Sequence, residues 1–115
     1  MQEILDKLNR VRGVGGSLLI SSEGLPMVTA LRQGSDESGL AATLAALLDN
    51  AARLCQQLGF GKNRAIQALT GKGGLLIIPA GPAFLAIVMD SAANLALLQL
   101  EAKPFAERIA QRLSL

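Results

Sequence analysis

The sequence predicts an α+β fold in the order helix, two strands, helix, three strands, helix. Three observations predict it. Apolar residues recur at helical spacing in three places, at 2–12, at 36–58 and at 94–113. Between them lie short, nearly continuous aliphatic runs, SLLIS (17–21), LLIIP (75–79) and the segment Phe84 to Met89. Glycine- and proline-rich turns bound those runs, and no linker, repeat or low-complexity segment interrupts them. At 115 residues, half of them apolar and 17% charged, the chain is expected to form one folded domain over 1–115.

The first helix carries Ile4, Leu5, Leu8 and Val11 on one side, and Gly13, Gly15 and Gly16 are expected to end it. SLLIS follows as a strand covered on both faces. Ser22-Glu23-Gly24 turns the chain, and Leu25 to Leu31 returns as a second strand with Pro26 held to its start or to an edge. Ser35 or Asp36 caps the long helix 36–58. On a helical wheel its residues Leu40, Leu44, Leu47, Leu48, Ala51, Leu54, Cys55 and Leu58 form one arc of about 120°, read as the core-facing stripe. Alanines 41, 45 and 52 flank that arc. They serve either helix propensity on an exposed face or the close approach of a second backbone.

Gly59 and Gly61 end the long helix. Asn63 to Thr70 reads as a weak third strand whose two faces are both half polar or small, the pattern of a sheet edge. The remaining strands at 75–79 and 84–89 are apolar on both faces. The last helical pattern places Leu95, Leu98, Ala102, Phe105, Ile109 and Leu113 together, with a kink or break expected at Pro104.

Composition narrows the chemistry. The chain has no histidine and one cysteine, Cys55, so it lacks a base for nucleophilic catalysis and the residue pairs of a zinc site. A lone cysteine inside the core arc suits a reducing cytoplasm. The carboxylates are scattered, and Asp90 at a strand end reads as a turn or helix cap. A net charge of +2 with no basic run gives nucleic acid little to hold; Lys62, Arg64 and Lys72 read as the rim of a strand edge. The glycine clusters at 13–16, 61 and 71–74 fail the spacing of phosphate-binding loops, and no cofactor is expected. The longest uncharged stretch, Gly73 to Met89, is cut by Pro79, Gly81 and Pro82, so no membrane span is expected. What remains is surface for association. Two weak edges paired about a twofold axis would extend the sheet and bring two long helices together.

The segment VGGSLLISSEGLPMV (14–28), an alanine-rich helix, and GKGGLLIIPAGPAFLAIVMDSAANLALLQLE (71–101), in that order, resemble the Roadblock (dynein light-chain roadblock) family over nearly the whole chain. Ala96, where relatives often carry glycine, and Pro104 depart from the family pattern. The resemblance implies a single five-stranded antiparallel sheet with the long helix on one face and the terminal helices on the other. It implies a homodimer joined through the third strand, with no catalytic centre. Bacterial members of the gliding-motility polarity type bind Ras-like small GTPases and can stimulate their hydrolysis, and the short length of the chain points to that branch. On this basis Ala41, Ala45 and Ala52, with Arg64, Ala65, Ile66, Gln67, Ala68 and Leu69, are the expected dimer surface. Thr43, Ala46, Asp49, Asn50 and Arg53 are the expected face for a GTPase. A structural scaffold or light-chain subunit is the alternative, and a ligand-sensing module, which would need a pocket between sheet and helices, ranks behind both.

Overall fold

The computed structural model describes residues 1–62 and 65–114. The elements are α1 (Gln2–Leu8), β1 (Val14–Ile20), β2 (Pro26–Ala30), α2 (Glu37–Gln57), β3 (Ile66–Leu69), β4 (Gly73–Ala80), β5 (Ala83–Asp90) and α3 (Leu95–Leu113). The strands form one antiparallel sheet in the order β2-β1-β5-β4-β3. The expected element order and sheet are therefore present, and β2 and β3 are its two edges.

Each face of the sheet has its own core, as side chains alternate along the strands. On one face α1 and α3 cover Leu19, Leu76, Leu85 and Ile87 with Ile4, Leu5, Leu8, Leu98, Ala102 and Ile109. On the other, α2 lays Ala41, Leu44 and Leu48 over Leu18, Ile20, Ile77 and Ala86. β5 lies at the centre of the sheet between β1 and β4, which is why all three read as nearly unbroken aliphatic runs.

Several boundaries differ from the sequence expectation. The first helix stops at Leu8, after which Arg10 and Val11 bond back only three residues, and the Asn9 side chain reaches the sheet. Its Nδ2 donates to the Ala30 carbonyl at 2.8 Å and its Oδ1 accepts from the buried Ser17 hydroxyl at 2.7 Å. Gly15 and Gly16 do not end that helix; they belong to β1, with a bulge between Val14 and Gly16. β3 is shorter than 63–70, and Asn63 and Arg64 lie outside the described residues. α3 runs unbroken through Pro104. The proline sits on the solvent side, and Leu100, whose carbonyl loses its donor, is itself exposed, so water can supply the missing bond. Asp36 is the cap of α2, accepting from the Gly39 N–H at 3.1 Å. Asp90 accepts from the Ala92 N–H at 2.8 Å, the turn role expected of it.

Glu3 on α1 joins the two helices of its face through an ion pair with Arg112 at 2.8 Å. Its carboxyl is lowered from 4.5 to about 2 by its own backbone N–H first, then by the Met1 amino group and Arg112.

Candidate interaction surface

Burial along α2 stops at Leu48. The stripe read from the wheel as one core-facing arc is in fact two surfaces. Ala41, Leu44 and Leu48 face the sheet, whereas Leu47, Leu54 and Leu58 are 38%, 56% and 55% exposed. Leu40, Leu47, Ala51, Leu54 and Leu58 are spaced by sevens, fours and threes, and fall within an arc of about 60°. That is the spacing of a helix–helix seam. Cys55 is only half-buried, since it belongs to the same projecting half of the helix.

The three alanines expected at the dimer surface differ in burial. Ala41 is fully buried in the domain's own core and is unavailable to a partner, which corrects its assignment to the dimer surface. Ala45 is half-buried against the turn between β1 and β2, where a Cβ on Gly24 would lie 2.5 Å from the Ala45 Cβ. The close approach this alanine permits is to its own hairpin. Ala52 is exposed, and shares a hollow with Gln56, Gly59 and Gly61 of the loop that leaves the helix. The leucine seam lies on the flank of α2 opposite Ala45, which faces the β1–β2 turn.

The two sheet edges are unequal. β2 begins at Pro26, which removes one donor, and the Thr29 carbonyl accepts from Gln2 Nε2 of α1 at 3.0 Å. Among the described residues no side chain bonds the backbone of β3 in this way. Ile66 is half-buried on the α2 face, and Ala65, Gln67, Ala68 and Leu69 are exposed. The fold thus leaves both an open strand edge and an exposed leucine seam. Arg64 lies outside the described residues.

Thr43, Ala46, Asp49, Asn50 and Arg53 are all exposed on the outer face of α2. Arg53 reaches Asp49 at 2.7 Å, one turn away, and the Thr43 hydroxyl donates to the Gly39 carbonyl at 3.0 Å. A groove of about 430 Å³ between α3 and β4, bordered by Ile78, Pro79, Lys103, Ala106 and Glu107, lies on the opposite face. Gln99 also borders it, and among the described residues no buried side-chain polar atom lacks a partner. The sequence reading missed Leu47, Leu54, Leu58 and the 75% exposed Phe60 as surface residues. The four-three spacing carried the signal for the first three.

Comparison with known proteins agrees with this architecture. The Roadblock/LC7 domain model matches residues 1–89. An uncharacterised protein of Methanocaldococcus jannaschii is 27% identical over 109 residues, 95% of this chain and 96% of the relative. Myxococcus xanthus MglB superposes with a TM-score of 0.91 at 18% identity, over 98% of this chain and 94% of that one. The gliding protein MglB of Thermus thermophilus does so with a TM-score of 0.84 at 24% identity, over 95% and 84%. Both structures share the fold, the second with a longer chain. The protein belongs to the Roadblock/LC7 domain family.

Proposed function

We propose that the chain is a non-catalytic, cytoplasmic interaction module that forms a homodimer and, as a dimer, binds and regulates a Ras-like small GTPase. The observation that carries this reading is the exposed leucine seam of α2 together with the open edge of β3, the opposite edge being blunted. Pairing two β3 edges about a twofold axis, through residues 65–69, satisfies the free backbone groups of both. It also brings the Leu40, Leu47, Leu54 and Leu58 flanks of two α2 helices together and removes their apolar area from water. Ala45 and Ala52 lie away from this contact.

The outer face of α2, with Thr43, Ala46, Asp49, Asn50 and Arg53, stays free in such a dimer and is doubled by the twofold. Its mixed polar character suits a reversible partner better than a permanent one. Family membership, and the GTPase binding of the gliding-motility members that the sequence resembles, support a small GTPase as that partner. The test is binding and hydrolysis with the small GTPases encoded near this gene, each loaded with GDP or a GTP analogue. Binding that depends on the nucleotide and falls at least tenfold with Arg53→Glu is expected. Nucleotide-independent binding to a larger protein, unchanged by Arg53→Glu, would favour the scaffold reading instead.

A further inference from the structure

α2 ends in a Schellman motif. Gly59 adopts φ +72°, the Phe60 N–H donates to the Cys55 carbonyl at 2.9 Å, and the Gly59 N–H donates to the Gln56 carbonyl at 3.1 Å. In this motif the residue after the glycine commonly folds its side chain onto the last helical turn. Phe60 does not. Its backbone is fixed by the motif, yet its ring remains 75% exposed.

Beside the start of the same helix lies a hollow of about 490 Å³. Gly15 and Val88 form its floor, Leu31 and Leu40 its wall, and Arg32 and Lys72 its rim. The three aliphatic side chains are only half-buried. Gly15 is the extra residue of the β1 bulge, and its missing side chain leaves the floor open. Both cations stand on turns held by hydroxyl groups. The Ser35 hydroxyl donates to the Arg32 carbonyl at 2.6 Å, and the Thr70 hydroxyl accepts from the N–H groups of Lys72 and Gly73, each at 3.2 Å. Asp90, also at the rim, has a carboxylate oxygen engaged by the Ala92 N–H.

A twofold axis that pairs two β3 edges sets the two α2 helices antiparallel, so the end of one stands over the start of the other. The leucine spacing places Leu58 of one copy beside Leu40 of the other, and Leu40 is a wall of the hollow. Phe60 follows two residues later. We propose that this hollow is the socket for Phe60 of a second copy of the chain, filled twice across the twofold. The last turn of α2 carries no basic residue, and in such a dimer its partial negative end would stand near Arg32 and Lys72 of the other copy. The proposal rests on the dimer described above and names the contact that fixes its register.

The test is sedimentation equilibrium of the full chain, the Phe60→Ala and Gly15→Val variants, and the double variant. A Cβ at Gly15 would meet nothing closer than the Val88 carbonyl oxygen at 3.7 Å, so the valine fills the hollow without disturbing the fold. Each single change is expected to weaken association roughly tenfold, the loss of an aromatic anchor. The double change should weaken it no further, because both remove one contact. Isotope-filtered NOEs between the Phe60 ring and Val88 methyl groups of differently labelled copies give a direct readout. A wild-type monomer overturns the dimer and the socket together. A wild-type dimer that neither change weakens, or that the two weaken additively, keeps the dimer and overturns the socket.

Discussion

Ser17 is a fully buried polar residue near the middle of an aliphatic sheet, and a two-bond relay satisfies it. Its hydroxyl donates to Asn9, which in turn donates to Ala30, so one side chain ties α1 to both strands of the first hairpin. Ser17→Ala leaves the Asn9 oxygen short of a donor and is expected to cost about 1 kcal/mol in urea unfolding. Gly24 is constrained twice, by φ +88° and by the 2.5 Å that would separate a Cβ from Ala45. Gly24→Ala should cost roughly 1–3 kcal/mol, and Ala45→Gly should recover only the part due to the clash. This contact shows what a helical wheel hides. The small residues of α2 were visible in the sequence, but nothing in it said which backbone approaches them. Glu3 adds an acid-sensitive tie. Because folding depresses its pKa, its contribution is complete above pH 4.5 and is lost as pH falls toward 2. Glu3→Gln should therefore flatten the pH dependence of the melting temperature in that window.

At the scale of elements, α2 was the most legible part of the chain. Its capping Asp36, its span and its terminal Gly59 follow local rules, and Asp36→Ala should lower stability by about 1 kcal/mol. The division of its leucines was not legible, because periodicity reports an apolar flank without saying whether the same chain covers it. Burial ends at Leu48, and the leucines beyond it have no cover among the described residues. Leu54→Glu separates the two roles: the unfolding free energy of the monomer should change by less than about 0.5 kcal/mol, while self-association is lost. A loss of several kcal/mol in the monomer would place Leu54 in the core instead. Gly15 and Gly16 were misread as a helix stop, since a bulged strand start and a helix end use the same residue type. The break considered at Pro104 does not occur, since its cost depends on whether its side of the helix faces water.

At the scale of the whole molecule, the element order, the five-stranded antiparallel sheet and the two-faced core matched expectation, and the inequality of the two edges emerged only in three dimensions. The blunting of β2 depends on Gln2, distant in sequence from the strand whose Thr29 carbonyl it engages. The proposed self-association through β3 and the leucine flank of α2 rests on that inequality. Amide hydrogen exchange of β3 at increasing protein concentration tests it most directly. The N–H groups of residues 66–69 that point away from β4 should become protected as concentration rises, together with slowed exchange near Leu54 and Leu58. Exchange at the rate of an open strand edge at every concentration would contradict it.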